Sequence, residues 1–255
     1  MPRRTLTPAP TAALAVLASI ALALLTLGGC GGDKVVDPDR NGTSNLQGYF
    51  ASEGNAGRLG VVIAAPASSL GPGHTASTAV VAATGSLALE SGGTVSLAGT
   101  CDTAIDSLHL TGSGYEFGGR VAWVNGVPTI AGRFTSPGDD GAFGIALVNS
   151  FGPHASCGML FLAGDSLVGR LGFVISGSEI LGAACFAAES DPVMLHGALD
   201  RTTSKPRLSL TGASATRAMD LHGALDEDAD LSAGSWSSTG TAGVATGTWN
   251  AALCP

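Results

Sequence analysis

Gly57-Arg58-Leu59-Gly60-Val61-Val62-Ile63 returns as Gly169-Arg170-Leu171-Gly172-Phe173-Val174-Ile175, and Leu108-His109-Leu110-Thr111-Gly112 returns as Leu208-Ser209-Leu210-Thr211-Gly212. The two segments keep their order, with offsets of 112 and 100 residues. The chain therefore carries two copies of a unit of roughly 100 residues that differ by small insertions. Near the end of each copy Ala131-Gly132-Arg133-Phe134 answers Ala233-Gly234-Ser235-Trp236. Inside these segments, and in Val95-Leu97 and Tyr115-Phe117, apolar side chains alternate with small or polar ones, the period-two pattern of a strand with one buried face. Gly-Gly, Asn-Gly, Asp-Asp-Gly and Ser-Gly separate the strands and supply the positive φ of hairpin turns. With 38 glycines and no long 3.6-residue apolar stripe after Cys30, the mature chain reads as all-β.

A shorter echo sets the strand count. Leu195-His196-Gly197-Ala198-Leu199-Asp200 recurs 26 residues later as Leu221-His222-Gly223-Ala224-Leu225-Asp226, and Gly92-Gly93-Thr94-Val95 is answered at the same offset by Gly118-Gly119-Arg120-Val121. At about 3.3 Å per residue that length holds one hairpin, so each copy holds about eight antiparallel strands in a meander. Eight strands suffice to close a small barrel whose interior takes side chains or one small ligand. The expected architecture is two barrel-like units, similar to lipocalins and calycins, or two packed curved sheets, over residues 46–150 and 154–255. The boundary is expected where Asn149-Ser150-Phe151-Gly152-Pro153-His154 interrupts the alternation. A single outer-membrane barrel of about 16 strands fits the total, but it needs aromatic girdles and a lipid-facing apolar band, and the chain is 5% aromatic.

The N-terminus is of another kind. Arg3 and Arg4 precede an apolar, alanine-rich run of 16 residues, Ala12 to Leu27, which ends in Leu27-Gly28-Gly29-Cys30. The run falls short of the roughly 20 residues that span a bilayer, and its layout is that of a secretory signal. It resembles the signal of bacterial lipoproteins. The resemblance implies removal of residues 1–29, a diacylglycerol on Cys30 and acylation of the new amino terminus. Residues 30–45 are polar and turn-forming and read as a flexible tether. The resemblance places the protein in the cell envelope, held to a membrane by its lipid. Gly31 in place of an aspartate favours the outer membrane where the source has two.

Loss of the signal removes two of the 12 basic residues and none of the 20 acidic ones, which leaves a formal charge near −10. Such a surface argues against nucleic acid and against docking on anionic lipid. With Cys30 lipidated, Cys101, Cys157, Cys185 and Cys254 remain, an even number that suits two disulfides in an oxidising compartment. The first copy holds Cys101 alone, so if all four pair, one bridge must join the two units and stabilise their union by on the order of 3 kcal/mol. No C-x-x-C spacing supports zinc.

No catalytic constellation emerges. Met159 to Leu167 resembles the strand and Gly-Asp-Ser-Leu of the GDSL hydrolases, with Gly164-Asp165-Ser166-Leu167, and Asp106-Ser107-Leu108-His109 supplies an Asp-x-x-His. That element precedes the serine where the family has it follow, and Ser166 aligns with Gly54 in a hairpin turn of the first copy. Asp226-Glu227-Asp228-Ala229-Asp230 alternates carboxylates like a calcium loop but has Leu231 and Ser237 where glycine and glutamate belong, and reads as a solvated turn equivalent to Val124 to Val127. Asp139 and Asp140 read as a similar turn. In a regular meander His196 and His222 lie roughly 9.6 Å apart across the sheet, near enough to share a metal, but a third ligand is missing and repetition accounts for both. Trp123, Trp236 and Trp249, with Tyr115 and Phe134, fit a core better than a ligand cavity. The leading expectation is a non-enzymatic structural or interaction module without cofactor or metal, with an envelope protein as its partner. The alternative is a lipocalin-like carrier of a small apolar ligand, and the weaker one a GDSL-type hydrolase.

Overall fold

The computed structural model describes residues 42–70, 80–124, 127–148, 154–187, 189–227, 230–241 and 243–255. The signal segment, Cys30 and the tether as far as residue 41 lie outside these, as do residues 149–153 at the expected boundary between the copies. The first copy forms β1 (Ser44–Ser52), β2 (Ala56–Ile63), β3 (Val80–Leu89), β4 (Thr94–Asp102), β5 (Ser107–Gly112), β6 (Tyr115–Val124), β7 (Val127–Ser136) and β8 (Asp139–Leu147). The second forms β9 (His154–Leu162), β10 (Leu167–Ser176), β11 (Glu179–Phe186), β12 (Val193–Asp200), β13 (Arg207–Ala213), β14 (Arg217–Asp226), β15 (Leu231–Gly240) and β16 (Gly243–Leu253). Each copy is an antiparallel meander that closes on itself, β1 on β8 and β9 on β16, so the molecule holds two eight-stranded barrels.

The registers of the two barrels coincide. Phe50 pairs with Gly57 as Leu160 pairs with Gly169, and Leu108 pairs with Gly119 as Leu208 pairs with Gly223. The 26-residue echo in the second copy falls on β12 and β14, two strands apart. Its counterpart in the first copy is not structural: Gly92 and Gly93 sit in the β3–β4 turn at φ 83 and 103, whereas Gly118 and Gly119 lie inside β6.

Each barrel buries its own core. In the first, Phe50, Phe117, Phe134 and Phe143 cluster with ring centroids 5.0 to 6.5 Å apart. Trp236 and Trp249 take the places of Phe134 and Phe143 in the second, Trp249 against Phe173 and Trp236 against Phe186. Trp236, Trp249 and Phe134 are therefore core residues, and Tyr115 packs on the first core from its edge. Rings of this size fit inside an eight-stranded barrel because inward-facing positions beside them lack a side chain. A Cβ on Gly119 would lie 2.6 Å from the Phe143 ring, and one on the equivalent Gly223 would lie 2.4 Å from Trp249.

The barrels dock through outward faces made of small residues. Ala51, Ala56, Ala142 and Ala146 of the first meet Ala155, Val174, Ala183 and Cys185 of the second, and Tyr49 lies between them, with its ring on Gly144 and Gly172. Arg170 reaches across to the Glu53 carbonyl at 3.2 Å and pairs with Glu90, and Arg133 pairs with Asp191.

One disulfide is present among the described residues, Cys157 to Cys254, with Cα atoms 4.9 Å apart. It ties β9 to the residue after β16 and staples the seam where the second barrel closes, a constraint worth about 2–4 kcal/mol. The expectation of two bridges, one crossing between the units, is corrected: Cys101 and Cys185 are free, buried thiols. Cys101 points into the first core at the place Leu199 holds in the second, each pairing with the first leucine of the following strand. Cys185 lies between the barrels and donates to the Ala51 carbonyl at 3.1 Å. Burial pushes the Cys101 thiol up to about 11 and the Cys185 thiol up to about 12, which leaves both protonated and inert at neutral pH. The barrels are joined by packing and ion pairs, not by a covalent bridge between them.

The inward glycines generate a prediction. Gly223→Ala is expected to cost about 1–3 kcal/mol through overpacking against Trp249, whereas Gly118→Ala, on an outward strand position with open space, stays within about 0.5 kcal/mol. Urea unfolding of both variants is the measurement, and equal midpoints would remove the socket account.

Candidate functional site

The two barrels differ at one end. In the first, residues 64–70, the described part of the β2–β3 connection, turn back over the mouth. Ala64 continues the ladder by donating to the Ala82 carbonyl at 2.9 Å, and the chain then makes a short 3-10 turn, Ala67–Ser69. Leu70 follows, fully buried in the barrel core with Ala65 beside it. Two side chains hold this plug: the Ser44 hydroxyl donates to the Ala65 carbonyl at 2.6 Å, and the Trp123 indole donates to the Leu70 carbonyl. Trp123 is thus neither ligand platform nor central core; it fastens the plug.

In the second barrel the matching β10–β11 connection is only Gly177-Ser178, a tight turn that needs the left-handed backbone of Gly177 at φ 65. Among the described residues none folds back over the mouth. Instead there is a cup of about 570 Å³, within the range of small-molecule sites. Ile175, Leu225 and Leu253 form its apolar wall, and Leu253 remains 44% exposed. At the opposite end the barrel is closed, where the Arg217 guanidinium lies 4.2 Å from the centroid of the Phe186 ring and pairs with Glu189.

Register equivalence shows how the cup arises. Leu46, inward in the first barrel, pairs with Val61 and Leu147; its counterpart Ser156 pairs with Phe173 and Leu253, so a core leucine has become a buried serine in the wall. Ser44, which holds the plug, pairs with Ile63 as His154 pairs with Ile175. Counting four residues beyond the shared Gly119 and Gly223 places Glu227 where Trp123 stands, and two beyond Cys101 and Leu199 places Arg201 where Thr103 stands. Every group that would hold a plug is replaced, and the replacements are polar or charged. Arg201 donates from Nε to Glu227 Oε1 at 3.3 Å and from a terminal nitrogen to the Gly177 carbonyl at 2.8 Å.

The other sequence candidates do not converge. Ser166 lies in the β9–β10 turn after Gly164 and Asp165, both at positive φ, and its carbonyl accepts from Leu162 at 2.9 Å. Asp106 and His109 belong to the first barrel, where His109 Nε2 lies 2.9 Å from Glu116 Oε1. The structure therefore brings no base to Ser166 from the proposed Asp-x-x-His. His196 and His222 are exposed on β12 and β14, but they are staggered: His196 faces Thr211, which faces Asp220, while His222 faces Ser209. Its Nδ1 lies 3.2 Å from the Ser209 hydroxyl. Among the described residues no group of three or more His, Cys, Asp or Glu is placed to hold a metal ion. Asp139 is more than a solvated turn residue, since its carboxylate accepts from the Ser52 hydroxyl and from the Gly54 amide at 3.1 Å and so clamps the β1–β2 turn.

Of the cup residues, His154 stood out in the sequence only as the end of the expected boundary segment, Leu225 only as part of an echo, and Glu227 and Asp230 only as members of an acidic turn. Searches of family models, of curated proteins and of solved structures find no match to the chain.

The asymmetry has a stability signature. Leu70→Ala empties a filled core and is expected to cost about 2–4 kcal/mol, while Leu253→Ala at the open cup costs less than about 1 kcal/mol. Thermal and urea unfolding of both variants checks this, and a comparable loss in the two would mean that the second mouth is packed like the first.

Proposed function

We propose that the protein is a lipid-anchored envelope carrier that holds one small, largely apolar molecule in the open mouth of its second barrel, with the first barrel as a self-plugged companion. The observation that carries the reading is the contrast between duplicates: one mouth filled by Leu70 of its own chain, the other a cup of about 570 Å³ in the same register position. Filling the first mouth with an internal leucine indicates that this site suits an apolar group. The cup offers the same framework without that group. Of the readings open to the sequence, the carrier is therefore preferred to a purely structural module. Anchoring rests on Leu27-Gly28-Gly29-Cys30.

A neutral fluorescent probe, N-phenyl-1-naphthylamine, is expected to bind with about one site per chain. Ser156→Leu, which restores the side chain found at Leu46, should weaken it at least tenfold without lowering the melting temperature. Undiminished binding in Ser156→Leu, or no binding to the wild type, would end the carrier reading. For the anchor, radiolabelled palmitate is expected to enter the wild-type protein in the native host and to be lost in Cys30→Ala; equal labelling of both would refute lipidation at Cys30.

A further inference from the structure

We infer that the molecule taken by the cup is an amphiphile with a cationic head, its chain against Ile175, Leu225 and Leu253 and its head at Glu227 and Asp230. This rests on the carrier reading and narrows it to a ligand class. A plain hydrocarbon would be served by a rim like that of the first barrel, whose corresponding positions are the uncharged Ser44, Thr103 and Trp123. The second barrel has His154, Arg201 and Glu227 there, and adds Asp230 immediately before β15. Charged groups gathered around an apolar cup match a ligand with one apolar part and one polar end.

The sign of that end follows from how the charges are spent. Arg201 is the only lysine or arginine in the described lining, and its guanidinium is already directed to Glu227 and to the Gly177 carbonyl. Asp230, held at φ 52 in the turn, makes no ion pair among the described residues. Among the described lining residues one arginine thus faces two carboxylates. An incoming ammonium is attracted to the uncompensated carboxylate at the rim, while an incoming carboxylate must compete with Glu227 for Arg201 and lie beside Asp230. Two carboxylates flanking a rim would carry little weight alone; here they border a cavity whose apolar wall positions the rest of the ligand.

The test uses the full-length Cys30→Ala chain, which has no acyl group of its own to enter the cup, and calorimetric titration at pH 7 with octylamine, 1-octanol and octanoate, each below its micellar or solubility limit. Octylamine is expected to bind at least tenfold more tightly than octanoate, with octanol between them. Glu227→Gln combined with Asp230→Asn should shrink that preference below threefold while leaving octanol affinity in place, and Asp230→Asn alone should fall between. Arg201→Ala should strengthen octylamine further. Octanoate binding as tightly as octylamine, or a preference unmoved by the double variant, overturns the cationic-head inference and leaves the carrier reading standing, because octanol still binds. Failure of octanol itself to bind overturns the carrier reading, and this inference falls with it.

Discussion

An eight-stranded sheet closed on itself has a narrow interior that side chains must fill to a fixed volume, and this constraint governs the molecule. Large rings do most of the filling, at the cost of side chains elsewhere on the inner wall. Gly119 beneath Phe143 and Gly223 beneath Trp249 are two solutions of one packing problem, kept across the duplication while the ring changed from phenylalanine to tryptophan. The glycine-rich composition is therefore more than turn chemistry. Inside the barrel, glycine is the socket that lets an aromatic ring approach the wall closely.

The same constraint explains what happens at the ends. A barrel filled by rings in its middle still needs something at each mouth, and the two copies solve this differently. The first spends a longer connection on the task, with Leu70 as stopper and with Ser44 and Trp123 as its fasteners. The second has a two-residue turn, a serine in place of a core leucine, and His154 and Glu227 at the fastening positions. Loss of the plug and loss of its fasteners occur together, so the open cup is a consistent redesign of one mouth. Between the barrels, alanines allow close approach, and Tyr49 fills the remaining gap with its hydroxyl buried and unpartnered among the described residues. Such a group costs on the order of 1–3 kcal/mol.

Much of this was legible in the sequence, and for identifiable reasons. Period-two alternation and turn dipeptides report local physics, so the strands followed from Leu59, Val61, Ile63 and their repeats, and the count of eight from the 26-residue echo of Leu195 to Asp200 in Leu221 to Asp226, which spans one hairpin from β12 to β14. The repeats Gly-Arg-Leu-Gly and Leu-x-Leu-Thr-Gly also aligned the copies correctly, because both fall on equivalent strands. Cysteine pairing was not legible: parity suggested two bridges, but Cys101 serves as a core hydrophobe in the place of Leu199, a role fixed by register and invisible to counting. The cup was hidden as well. It depends on what is missing from one copy relative to the other, and Ser156, Arg201 and Leu253 come together only after β9, the β12–β13 turn and the end of β16 meet at one rim.

The central claim is that the two mouths, equivalent by descent, differ in that only the second admits a ligand. Amide chemical-shift mapping of the full-length Cys30→Ala chain during addition of 1-octanol addresses it directly. The account predicts shifts concentrated at Ile175, Gly177, Leu225 and Leu253, with Ser44, Leu70 and Trp123 unmoved. Shifts at the first mouth equal to those at the second, or shifts confined to the surface between the barrels, would contradict it.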